Sequence, residues 1–127
     1  MSRAVLDLAR RAVACRRWRW MPGMLAIRWT GPCRGSHRYT DADVRAGATF
    51  DRGTPDLTDP ATLGCLLALV REAWEPHRGS DHIASTMHTS SGWGVGARFG
   101  PQGLAAIVLP TYETEAEALV AALEAAP

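Results

Sequence analysis

Between Arg16 and Met24 the chain reads Arg16-Arg17-Trp18-Arg19-Trp20-Met21-Pro22-Gly23-Met24. Guanidinium groups stay charged and fork onto phosphate or carboxylate oxygens, so Arg16, Arg17 and Arg19 are suited to hold an anion. Trp18 and Trp20, with Trp29 further on, offer flat faces on which a base can stack. Pro22-Gly23 makes a turn whose backbone amides add donors, and Met24 enters the strand that follows. Arg16, Arg17, Trp18, Arg19, Trp20, Gly23 and Met24 are therefore the candidate ligand-binding residues. The bland alternative is that the tryptophans anchor a helix to a sheet while the arginines stay in water.

Other chemistry is poorly supported. Cys33 and His37 are four residues apart, and His77, His82 and His88 lie near one another, but no second close pair completes a zinc pattern. Cys15, Cys33 and Cys65 are scattered and odd in number, with no CxxC, and read as free thiols. Ser90-Ser91-Gly92-Trp93-Gly94 is not a nucleophile elbow. Gly92-Trp93-Gly94-Val95-Gly96 precedes no helix, so it is neither a P-loop nor a dinucleotide fingerprint; a bulged strand is the simpler reading. Asp41 and Asp43, and Asp56 and Asp59, read as turn and cap residues. The expectation is no enzyme activity, no cofactor and no metal.

The charge balance supports a basic face. The net charge is +1, yet residues 1–52 carry 11 Arg against 4 Asp, or +7, and residues 53–127 carry 3 Arg against 9 acids, or −6. Such a split marks a binding face or two halves that neutralise each other. The near-neutral total and the lack of a helix-turn-helix argue against duplex nucleic acid as a partner. Cys65–Val70, as long as any apolar run in the chain, is too short for a bilayer, which argues against a membrane partner. Arg3, Asp7, Arg10 and Arg11 interrupt any signal peptide, so a cytosolic location is expected.

The elements that would position these groups follow from pattern. Ser2 caps a helix over 3–16 whose face is Val5, Leu6, Ala9, Ala12 and Val13. Met24–Thr30 reads as a strand with partial alternation. Residues 33–55 are irregular or loop-rich, with short strands at 38–40 and 48–50 as candidates beside a loop at 41–47. Asp56-Leu57-Thr58-Asp59-Pro60 starts a helix reaching Trp74, faced by Leu63, Leu66, Leu67, Val70 and Trp74, with Gly64 a mark of close packing. Ile83–Thr89, Trp93–Phe99 and Leu104–Leu109 form an antiparallel meander. Thr114-Glu115-Ala116-Glu117 is a capping box opening a last helix. The predicted fold is one α+β domain, 1–127, with an antiparallel sheet of four to five strands and three helices packed mainly on one face.

Residues 9–24, 55–74 and 113–123 together resemble a family of small uncharacterised proteins of tailed phages and prophages. The resemblance covers nearly half the chain. It implies a phage accessory protein, at work in an infected bacterial cell, and brings no assigned activity. The layout of helix, basic residue, tryptophan, glycine and methionine entering a strand is similar to that of phage proteins that sequester nucleotide immune signals, the anti-Thoeris sponges. Arg17-Trp18 and Gly23-Met24 are the matching elements; Trp20 stands one residue closer to Met24 than in that layout, so the likeness is one of layout only.

The leading expectation is an accessory protein that sequesters a small anionic, nucleotide-like ligand without turnover. A homodimer or higher homo-oligomer suits it, because a short chain lines a deep pocket by sharing it. The alternative is an inhibitor that binds a host defence or regulatory protein through the same Arg and Trp anchors. A small enzyme is the third reading.

Overall fold

A computed structural model describes residues 2–30, 33–46, 53–74, 84–99, 103–106 and 110–127. In chain order the elements are α1 (Arg3–Ala14), β1 (Leu25–Thr30), β2 (Cys33–Arg38), α2 (Asp41–Arg45), β3 (Thr54–Pro55), α3 (Pro60–Trp74), β4 (Ala84–Thr89), β5 (Gly92–Phe99), β6 (Gly103–Ala106) and α4 (Glu115–Glu124). The mixed α+β class is as expected. The single sheet is not: there are two antiparallel sheets, ordered β2-β1-β3 and β4-β5-β6, and four helices in place of three. The chain divides into two compact units, residues 1–65 and 66–127, with the boundary inside α3.

In the first unit, Ser2 caps α1 by accepting the Val5 amide at 3.3 Å. The helix ends at Ala14, before the expected Arg16, because Cys15 is already extended (φ −63°, ψ 134°). Its buried face is Leu8, Ala9 and Ala12, whereas Val13, expected in the core, is 37% exposed. Three- and four-residue spacing defines a stripe, and the stripe that meets β3 is rotated from the one expected. β1 is the central strand of its sheet, which explains its weak alternation: both Ala26 and Ile27 are buried, on opposite faces.

The segment 33–55, expected to be loop-rich, holds β2, α2 and β3. β2 pairs with β1 from Leu25↔Arg38 to Thr30↔Cys33. The expected strand at 38–40 is displaced to Cys33–Arg38, and the expected loop at 41–47 contains α2. Thr40 closes a capping box with Asp43, each satisfying the other's amide. The candidate strand at 48–50 lies outside the described residues.

In α3, Asp59 is the capping residue, accepting the Thr62 amide at 2.9 Å. Gly64 does not mark close packing: it is exposed, and an added Cβ would meet nothing within 4 Å. Gly64→Ala is therefore expected to stabilise the protein by about 1 kcal/mol, from helix propensity alone. A rise in the urea midpoint at unchanged m-value would show it; a fall would mean that the exposed face packs on something after all.

In the second unit the meander is as expected. β4 pairs with β5 from Ala84↔Ala97 to Thr89↔Gly92, and β5 pairs with β6 from Gly96↔Ala106 to Phe99↔Gly103. The expected strand ends Ile83 and 107–109 lie outside the described residues. α4 lies against β5 and β4. It opens on both bonds of the Thr114–Glu117 box and buries Ala118, Leu119, Val120, Ala122 and Leu123, so its apolar surface is wider than the expected Leu119, Ala122, Leu123 and Ala126. Thr86 donates to Glu115 Oε1 at 2.7 Å, and Trp74 Nε1 donates to the Ala122 carbonyl at 2.9 Å. Leu66, Leu69, Val70 and Ala73 form the buried face of α3 here; Leu67 and Trp74 are only half-buried.

Candidate functional site

After α1 the chain makes one turn, Trp18 N–H to Cys15 C=O at 3.0 Å, and then runs to a second at Met21-Pro22-Gly23-Met24. There the Met24 amide donates to the Met21 carbonyl at 3.2 Å and Gly23 has φ +96°. Proline second and glycine third is the sequence of a type II turn, whose third residue needs the left-handed backbone that glycine adopts without strain. The Gly23 amide is already spent on the Tyr39 carbonyl (2.9 Å), and Tyr39 N–H returns a bond to Met24 C=O (2.9 Å). Met24 is fully buried, and its sulfur accepts the Met21 amide at 3.3 Å. Gly23 and Met24, expected to touch ligand, thus stand beneath the segment as supports.

The tryptophans form one aromatic row. Trp20 stacks on Tyr39 with centroids 4.7 Å apart and planes 12° apart. Trp18 meets Trp20 edge-on at 5.6 Å, and His37 meets Tyr39 edge-on at 5.7 Å. Tyr39 is buried and both tryptophans are half-buried. The Trp18 indole N–H is buried and has no hydrogen-bond partner among the described residues. Donors of this kind are rare in folded proteins and cost on the order of 1–3 kcal/mol when left unmet. Arg16 and Arg19 flank the row and are exposed, and Arg17 is half-buried.

An ion pair that the sequence did not disclose fixes the turn from below. Arg38, at the end of β2, forks onto Asp59 at 2.9 and 3.0 Å and also donates to the Gly23 carbonyl at 2.7 Å. Asp59 further accepts the Thr62 amide and hydroxyl, each at 2.9 Å, and the fully buried Thr62 oxygen accepts the Leu25 amide at 2.9 Å. The Arg38 hydrogen bonds, followed by those from Thr62, hold the Asp59 carboxyl far below the usual carboxylate range. One carboxylate thereby ties the start of α3, the end of β2 and the Pro22-Gly23 turn together. Cys65 completes the support, its thiol donating to Pro22 C=O at 3.4 Å; burial, and then the nearby Asp59 charge, push that thiol up.

His37, weighed as a metal ligand, contacts Asp43 at 3.0 Å. Asp43 is held below its ordinary value by the Thr40 amide first, and then by His37. His88, also weighed, lies against Trp93 at 4.8 Å. His77 and His82 lie outside the described residues, and among the described residues no three His, Cys, Asp or Glu side chains cluster as metal ligands. An open depression of about 300 Å³ is lined by Leu25, Ile27, Gly35, Ser36 and Asp56, and includes none of the Arg16–Trp20 residues. No helix among the described residues is long and apolar enough to cross a membrane.

Comparison of the chain with family models, curated proteins and solved structures finds no match.

Proposed function

We infer that this protein binds and sequesters a small anionic, nucleotide-like ligand without turnover, as a phage accessory protein acting in an infected bacterial cell. The observation that carries the reading is the Arg16–Trp20 segment on its support. Three arginines flank a half-buried Trp18–Trp20 pair. A type II turn, an aromatic stack and the Arg38–Asp59 carboxylate network hold the segment from beneath. Binding is strong for a given set of contacts when the groups are ordered beforehand, so a rigid basic-aromatic shelf is the arrangement such a ligand needs. Arg16, Arg17 and Arg19 hold the phosphates, Trp18 and Trp20 contact the base, and Gly23 and Met24 keep the shelf in place. The likeness of 9–24, 55–74 and 113–123 to small phage proteins supports the setting.

The test is a titration of tryptophan fluorescence with linear and cyclic nucleotides. At least one is expected to quench at micromolar concentration, and the Arg16→Ala/Arg19→Ala variant is expected to bind it about tenfold or more weakly, the scale of one lost charge-assisted bond. Equal affinity in the variant would remove these residues from the site.

One observation favours a second reading. Val13 is exposed near the end of α1, three residues before Arg16 in sequence, and an apolar side chain together with arginines and tryptophans is the composition of a protein interface. On that reading a host defence or regulatory protein is the partner. Val13→Asp would abolish its capture and leave nucleotide quenching unchanged.

A further inference from the structure

The backbone of β5 settles which way β4 faces. Trp93 exchanges both backbone bonds with Tyr112, at 2.7 and 2.8 Å, so its amide and carbonyl point away from β4. In an antiparallel pair these directions alternate. Gly92, Gly94 and Gly96 therefore bond to Thr89, Met87 and Ser85, and the main chains of Ala84, Thr86 and His88 point outward from the sheet. Arg71 Nε confirms the direction by donating to the Ala84 carbonyl at 2.7 Å. Among the described residues nothing pairs with the outward amides and carbonyls of Thr86 and His88.

Open edges are normally guarded by charge, proline, a bulge, shortness or a covering helix or loop. β2 carries Arg34 and Arg38, β3 has two residues including Pro55, and the described part of β6 has four residues beginning at Gly103. Beyond the Arg71 contact at Ala84, β4 carries none of these devices among the described residues: Ala84-Ser85-Thr86-Met87-His88-Thr89 is six residues long and neutral apart from one histidine. Its outward groups are also self-complementary. Two β4 strands set antiparallel about Met87 place Thr86 opposite His88 of the second copy, twice, and four main-chain bonds close with no like charges facing. We propose that β4 is a self-association edge, at which two copies of this chain join antiparallel through Thr86 and His88 about a two-fold axis at Met87. The two β4-β5-β6 sheets then run on as one of six strands.

Light scattering on the full chain is expected to give twice the chain mass at high micromolar concentration. His88→Pro removes an outward donor without touching the ladder to β5, so it is expected to weaken the dimer about tenfold or more with the far-UV spectrum kept. Should that variant lose its fold, cysteine cross-linking decides. Residues on the axis have Cα atoms about 4.5 Å apart, within disulfide reach, while the two Ser85 positions fall roughly 14 Å apart. Met87→Cys is thus expected to cross-link on mild oxidation, and Ser85→Cys to cross-link no more than the unmodified chain. A monomer at every concentration, or cross-linking through Cys at 87 no greater than at 85, overturns the proposal.

Discussion

Asp59→Ala is expected to destabilise the protein by about 3 kcal/mol, combining loss of an N-cap with a buried hydroxyl stripped of its acceptor. The Thr62 side chain is fully buried and donates to Asp59 while accepting from Leu25, so removing the carboxylate unsettles the link between α3 and β1 as well as the helix end. Arg38 loses its fork at the same time and with it the hold on the Gly23 carbonyl. Asp59→Asn separates the contributions, because asparagine caps nearly as well but carries no charge. The pH dependence gives the sign. Asp59 titrates lower in the folded chain than in the unfolded one, so its contribution is complete above the ordinary aspartate value of about 4 and is lost as pH falls through the depressed folded value. Urea midpoints measured from neutral pH downward should fall less steeply in Asp59→Asn than in the parent. Parallel curves would show that the Arg38 pair contributes nothing to acid stability.

Gly92→Ala is expected to cost a similar amount, on the order of 3 kcal/mol, through two effects acting together. Gly92 sits at φ +123°, outside the range that side-chain-bearing residues adopt readily, and a Cβ built there would stand 2.5 Å from the Tyr112 carbonyl oxygen. That oxygen accepts the Trp93 amide and cannot withdraw without breaking the bridge. Gly94→Ala is the control: it lies two residues along the same strand, and its added Cβ meets nothing within 4 Å. Thermal unfolding should show a large drop for Gly92→Ala and a small change for Gly94→Ala. Equal changes would mean that loss of glycine from β5, rather than this backbone and this oxygen, sets the cost.

The parts of the fold that were legible in the sequence are those fixed by residues close along the chain. The Asp59-Pro60 start, the Thr114–Glu117 box, the Pro22-Gly23 turn and the β4-β5-β6 meander each depend on neighbours within a few positions, and each stands where expected. What failed depends on distant partners. Spacing shows that α1 has an apolar stripe but not which edge of it meets β3, so Val13 falls outside the core despite its place in the stripe. Partial alternation in β1 could not distinguish a half-buried strand from one buried on both faces. Nothing along the chain distinguishes one antiparallel sheet from two, because strand pairing is decided by contacts far apart in sequence.

The same division runs through the candidate site. Arg16, Arg17, Arg19, Trp18 and Trp20 were conspicuous by composition, whereas their supports were not. Tyr39 lies under Trp20 from 19 residues away, and Arg38 meets Asp59 across 21. A signal for the second is present in the sequence, since Asp59 before Pro60 is a capping residue and a capping carboxylate has a free side on which an arginine can fork. Its place after the turn suggests a ligand contact for Met24, but a methionine opening the central strand of a sheet belongs to the core.

The central claim is that the arginine-tryptophan shelf retains a small anionic molecule. Native mass spectrometry of the full chain tests it most directly, after incubation with lysate of phage-challenged bacteria and alongside the Arg16→Ala/Arg19→Ala variant. The account predicts an added small-molecule mass on the parent chain that is absent from the variant, with both chains folded. A spectrum of the folded parent carrying no small molecule, or an added mass that the variant keeps, would contradict it.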